Sequence, residues 1–270
     1  MTTLLRDSVS LHFEVHGDDS RDKVLCMGGW GSFCHGRCGD VPRYVQENYQ
    51  VLIWDYRGVG SSTDDRSKPM SMQLLATDAA ALIDHLGWDR VHVVGLVGMG
   101  ACVGQELAIA RPEMVRSLLM TGTWAFVDRT LRDQLELFRD THLTMGFEAF
   151  QKFVAAFSFT GEFYDEHRDR LLGLNGAWGD LMGKADAHAR LVEACLSHDT
   201  RDRLNQISCP AFVLHAGIDC VTSPRTTMPL EQGIAGCQGE LWPDLAHVIA
   251  GREMKIRFDG VLKRFLESCP

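Results

Sequence analysis

Residues 91–101 read Val91-His92-Val93-Val94-Gly95-Leu96-Val97-Gly98-Met99-Gly100-Ala101. The first five form a short apolar run that stops at glycine, as a strand buried on both faces of a parallel sheet does. A glycine-rich turn follows. Gln105-Glu106-Leu107-Ala108, running on to Arg111-Pro112-Glu113, then supplies a helix and its end. Strand, tight turn and helix in that order are the unit of an α/β fold with a mainly parallel sheet.

The same alternation extends in both directions. Residues 24–27, 51–54 and 117–120 read as further buried strands, 211–215 and 240–242 as two more strands, and 11–16 alternates like a half-exposed one. In residues 71–86, Leu75, Ala79, Leu82, Ile83 and Leu86 recur at helical spacing, with Ser71 placed to cap the start and Gly87 to end it. A closing helix is expected near 252–266. Strand signals vanish between about Trp124 and Asn205, where Phe147, Phe150, Phe153 and Phe157 make one aromatic helix face. The expected organisation is a core of residues 1–123 and 206–270, interrupted after the sixth strand by a helical cap, 124–205, over the carboxyl edge of the sheet.

Composition narrows the function classes. The 270 residues are 45% hydrophobic and 23% charged, with a net charge of −9 and scattered Lys and Arg. No basic patch is available to displace counterions from phosphates, so no nucleic-acid partner is expected. No apolar run reaches the roughly 18 residues needed to span a bilayer, and the first twenty residues lack a signal-peptide pattern. With nine cysteines, an odd number without paired spacing, a reducing cytoplasmic setting is expected. Cys34 and Cys38 flank His35 but have no second ligand pair nearby, so they read as plain thiols and no metal centre is expected. Neither a dinucleotide-binding glycine signature nor a P-loop occurs, so no cofactor is expected. The expected partner is a small-molecule substrate, and a homodimer is compatible with the sequence.

Several segments carry chemistry in a fixed order. They are Leu25-Cys26-Met27-Gly28-Gly29-Trp30-Gly31, Trp54-Asp55-Tyr56-Arg57-Gly58-Val59-Gly60-Ser61-Ser62, the 91–101 turn, His215-Ala216-Gly217-Ile218-Asp219-Cys220-Val221-Thr222 and Leu245-Ala246-His247. Together they resemble the α/β-hydrolase fold superfamily: oxyanion loop, strand-4 exit, nucleophile turn, acid loop and histidine loop. The resemblance spans nearly the whole chain outside the cap.

The resemblance implies His247 as catalytic base, Asp219 as its acid partner, and the backbone N–H groups of Met99 and Trp30 as oxyanion hole. Asp55 and Arg57 are implied as structural ties, and His12, His92 and His215 read as strand-face or surface residues. The departure lies at the elbow. Registering the G-x-S-x-G pattern on Met99-Gly100 and on the step to Pro112 puts Gly98 at the serine position and Leu96 where the first glycine stands. A second register makes Cys102 the nucleophile of Gly100-Ala101-Cys102-Val103-Gly104.

With glycine at position 98, no acyl-enzyme can form there, and room for about a hydroxymethyl group is expected above it. Three readings follow. In one, the His247–Asp219 dyad activates water against an ester, lactone or carbon–carbon bond. In another, the dyad does non-hydrolytic proton chemistry, as lyases, decarboxylases and cofactor-free oxygenases of the superfamily do. In the third, the chain only binds a ligand. Phe126, Phe138, Met145, Trp178 and Met182 suggest a small to medium, largely apolar ligand.

Overall fold

The computed structural model describes residues 2–269. Eight strands form one sheet: β1 (Thr3–Arg6), β2 (Val9–His16), β3 (Lys23–Met27), β4 (Gln50–Trp54), β5 (Val91–Gly95), β6 (Val115–Thr121), β7 (Ala211–Ala216) and β8 (Gln238–Trp242). Their spatial order is β1-β2-β4-β3-β5-β6-β7-β8, antiparallel at β1–β2–β4 and parallel from β4 onward. The architecture is the expected mainly parallel sheet flanked by helices. Strand β1, which the sequence patterning does not signal, is a short edge strand with its residues at best half-buried.

The helices are α1 (Arg43–Asn48), α2 (Met72–His85), α3 (Met99–Ala110), α4 (Arg129–Met145), α5 (Phe147–Ser158), α6 (Gly161–Leu171), α7 (Ala185–Leu196), α8 (Ser223–Gly233) and α9 (Arg252–Glu267). Alternation along the central strands splits the core into two layers. Leu25, Met27, Leu52, Trp54 and Val93 pack with α2 and α3 on one face. Val24, Cys26, Val51, Ile53 and Val94 pack with α1 and α9 on the other. Ser71 caps α2 as its position implies, its Oγ accepting the Leu74 N–H at 3.1 Å.

Helices α4 to α7 occupy the stretch between β6 and β7. Their aromatic residues interlock: Phe138 of α4 meets Phe153 of α5 edge-on at 5.2 Å between ring centroids, and Phe153 meets Phe157 at 5.2 Å. Within 124–205 the described residues form no strand beyond a single bridge between Phe126 and Asp199.

The sheet order places the site. From β3 the chain steps outward to β4, then returns to the other side of β3 as β5. Loops leaving β3 and β5 therefore diverge and open a crevice at the carboxyl edge, the topological switch point. Leu96 N–H donates to the Met27 carbonyl at 2.7 Å, locking the two strand ends together. Gly100 lies so close behind that a Cβ there would come within 2.4 Å of the same carbonyl oxygen. Gly100→Ala is therefore expected to destabilise the protein by about 1–3 kcal/mol in urea unfolding, as overpacking of a tight core does; an unchanged midpoint would contradict this packing.

Candidate active site

Between β5 and α3 the chain reverses over Leu96, Val97 and Gly98. Val97 has φ +51° and Gly98 has φ +78°, ψ −98°, both on the left-handed side. The turn is held by β6 and the residues after it: Val97 N–H donates to Thr121 Oγ1 at 3.2 Å, Gly98 N–H to the Thr121 carbonyl at 3.3 Å, and Thr123 Oγ1 to the Gly98 carbonyl at 3.2 Å. Gly98 stands immediately before the first residue of α3. Met99 therefore opens the helix, where backbone N–H groups have no intrahelical acceptor and point at whatever lies beyond the turn.

The room expected above Gly98 is partly taken. A Cβ on Gly98 would meet the Trp124 ring at 3.1 Å and the Gly122 carbonyl oxygen at 3.3 Å. Trp124 has folded in where a nucleophile side chain would begin, a packing that the sequence carries no signal for. Cys102 is not brought to this point. It is fully buried in the first turns of α3, its Sγ 3.3 Å from Thr123 Oγ1, and burial pushes its thiol well above the ordinary range. The register placing Cys102 at the elbow is thus not the one the backbone adopts.

Asp219 and His247 do come together. Loops after β7 and β8 carry them, and His247 Nδ1 lies 2.9 Å from Asp219 Oδ2. A carboxylate can only accept, so Nδ1–H donates, and in the neutral ring Nε2 is then the nitrogen that carries the lone pair. Asp219 Oδ1 accepts the N–H groups of Val221 at 2.6 Å and Thr222 at 2.9 Å, so the same carboxylate caps its own turn and holds the imidazole. Burial alone would raise the Asp219 pKa. The imidazole charge beside it, with hydrogen bonds from His247 and Thr222, overrides burial and brings the pKa down to about 2. Gly122, just past β6, backs the ring: a Cβ there would lie 3.2 Å from His247 Cε1.

Gly29, Trp30, Val97, Gly98, Met99, Trp124 and His247 line an inner cavity of about 40 Å³, closed from the α4–α7 side by Leu135, Phe138, Val154, Ser158 and Trp178. Gly29, Trp30, Val97 and Trp178 also line an adjacent outer cleft of about 620 Å³. Of the aromatic and Met residues expected at the ligand, Phe138 and Trp178 line this space. Met145 and Met182 are exposed, and Phe126 is covered by the Arg201 guanidinium at 4.2 Å. The Trp30 ring packs edge-on against His188 of α7 at 4.6 Å and Phe138 at 5.9 Å, fastening the β3 loop to the inserted helices. Ser158 had no sequence signal. Its Oγ is buried, without a hydrogen-bond partner, and its carbonyl accepts the Val248 N–H beside His247 at 3.0 Å.

The remaining polar motifs are structural. Asp55 takes Ser61 N–H at 2.7 Å and a short hydrogen bond from Ser32, tying the β3 and β4 loops. Arg57 pairs with buried Asp78 of α2 at 2.6 and 2.7 Å. His92 bonds Ser117, and His215 bonds Thr227 and Glu231. No helix among the described residues is long and apolar enough to cross a membrane.

Comparison with known proteins agrees with this layout. Residues 24–249 match the family model described as the alpha/beta hydrolase fold. A protein of Rhizobium rhizogenes named as a carbamate hydrolase, RutD, is 26% identical over 96% of this chain and 98% of its own. The 3-oxoadipate enol-lactonase 2 of Acinetobacter baylyi is 28% identical over 82% of this chain and 80% of its own. The crystal structure of the enol-lactonase from Burkholderia xenovorans LB400 superposes with a TM-score of 0.84 at 21% identity, over 98% of this chain and 99% of that one, a likeness of fold. With the family match covering both halves of the sheet, the elbow and the loops bearing Asp219 and His247, the chain belongs to the alpha/beta hydrolase fold family.

Proposed function

We propose that this chain hydrolyses a small carbonyl compound, an ester, lactone or carbamate, through a water activated by the His247–Asp219 dyad and without a covalent intermediate. The observation that carries this reading is the pairing of His247 Nδ1 with Asp219 at 2.9 Å, beside a cavity whose nucleophile position is a bare glycine. A binding protein has no need of an imidazole oriented by a buried carboxylate. The relatives named as carbamate hydrolase and enol-lactonase favour hydrolysis over lyase or oxygenase chemistry.

In this mechanism the scissile carbonyl enters the inner cavity and the rest of the substrate lies in the outer cleft. A volume of about 40 Å³ takes a carbonyl group and a water, since one water needs at least about 10–15 Å³ of such space. His247 Nε2 removes a proton from that water as it attacks the carbonyl carbon. Negative charge developing on the carbonyl oxygen is met by the Met99 and Trp30 N–H groups. The imidazolium, stabilised by Asp219, then returns the proton to the departing alcohol or amine. Ser158 Oγ is free to hydrogen-bond the water or the substrate from the opposite wall.

With a panel of small esters, lactones and carbamates as substrates, His247→Ala is expected to lower kcat/KM by about 10²–10⁴-fold. Gly98→Ala should cost about 1–3 kcal/mol of stability from the left-handed backbone and the Trp124 contact, while changing kcat/KM less than about tenfold. Turnover that survives His247→Ala would overturn the reading.

The dyad also has a pH signature. Because the folded Asp219 pKa of about 2 lies below its ordinary 3.8, ionised Asp219 adds stability above about pH 4 and loses it as the pH falls to about 2. Over that window the urea-unfolding advantage of the wild type over Asp219→Asn should shrink by about 2 kcal/mol. A constant difference would contradict an ionised, paired Asp219.

A further inference from the structure

We propose that His12, Glu14 and His35 form a binding site for one divalent transition-metal ion of the zinc class, outside the catalytic cavity. On β2, His12, Glu14 and His16 alternate, so all three project from the same face. Leu11 and Phe13 turn to the opposite face and join the core with α2. The loop leaving β3 crosses the polar face and brings His35 onto it. One ligand atom each from His12, Glu14 and His35 lies within 4.8 Å of the others.

The cluster is built rather than incidental. His12 Nε2 is buried and has no hydrogen-bond partner, yet it sits 3.6 Å from Glu14 Oε1. That gap is too long for a hydrogen bond and close to the spacing of two donors on one tetrahedral zinc, about 3.3 Å from Zn–N and Zn–O bonds near 2.0–2.2 Å. The His35 ring stacks on His12 at 4.7 Å between centroids with the planes 15° apart, so it must turn to aim a ring nitrogen at an ion shared with His12. His35 is held in place from two sides: its N–H donates to Glu14 Oε1 at 2.8 Å, and its Nε2 lies 2.7 Å from buried Asp55. Its backbone is left-handed at φ +59°, a conformation that a histidine keeps only where its surroundings fix it. A carboxylate behind a ligating histidine is the usual way such a ring is oriented. His16 Nε2 lies 2.9 Å from Glu14 Oε2 and holds that carboxylate from the other side.

Two imidazoles and one carboxylate select a borderline ion over calcium or magnesium, which take oxygen shells. The nearby thiols are not in this group: Cys34 is buried in the core layer of α1 and α9 with Cys38 packed against it, and the clustered ligand atoms are those of His12, Glu14 and His35 alone. Along the chain Cys34, His35 and Cys38 have no second ligand pair nearby. The sheet instead supplies His35 with partners more than twenty residues earlier in the chain.

The test uses chelator-treated full-length protein titrated with Zn²⁺ by calorimetry near neutral pH. One saturable equivalent is expected, with affinity reduced at least about tenfold in His12→Ala and in His35→Ala and unchanged in His85→Ala, an exposed histidine on α2. Glu14→Gln, which keeps the shape of the side chain, should weaken binding as well and covers the case in which a histidine variant fails to fold. Co²⁺ in place of zinc should give a spectrum without thiolate charge-transfer bands. Absence of a saturable equivalent, equal affinity in the histidine and Glu14 variants, or a thiolate band would overturn the proposal.

Discussion

The reversal of the chain between β5 and α3 is the constraint on which the rest of the site depends. Two consecutive residues, Val97 and Gly98, take left-handed backbone angles there, and the surroundings hold them. Met27 at the end of β3 accepts Leu96, and Thr121 at the end of β6 accepts both Val97 and Gly98. Three adjacent strand ends therefore fix one turn, and the turn fixes where α3 begins. Everything chemical is aimed from that point: the first N–H groups of the helix, the β3 loop that faces them, and the space into which His247 looks.

What glycine does at this turn differs from what deletion of a serine side chain alone suggests. A hydroxymethyl group is absent, but the Trp124 ring lies 3.1 Å from the position where its Cβ would be, closer than ordinary van der Waals contact. The backbone keeps the shape of an elbow while the space above it is rebuilt around an indole. Asp219 and His247 keep their arrangement, because their contacts come from their own loops, from Thr222 and from Gly122. Asp219 and His247 are thus positioned independently of position 98, which is the arrangement the proposed water-based mechanism requires.

Much of this was legible in the sequence, and for physical reasons. Buried parallel strands are continuous apolar runs, so β3, β4, β5 and β7 are visible from hydrophobicity alone. Ser71 and Gly87 mark a helix through local backbone chemistry. Asp219 and His247 are legible only as members of an ordered pattern, since each by itself is an ordinary loop residue. The unread features are those created by tertiary approach. Trp124 reaches the cavity from the loop just past β6, and Ser158 because α5 folds back over the sheet; nothing within a few residues of either announces it. Edge strand β1 carries too little burial to pattern its sequence. Cys102 looked like an alternative nucleophile because glycines flank it; the reason for Gly100 is the approach of α3 to the Met27 carbonyl.

The central claim is that hydrolysis here proceeds without a covalent step on the protein. Intact-protein mass spectrometry on samples quenched during steady-state turnover of a reactive small ester tests it directly. The account predicts a protein of unchanged mass throughout turnover. A transient adduct with the mass of the acyl group, whether on Ser158, Cys102 or elsewhere, would contradict it.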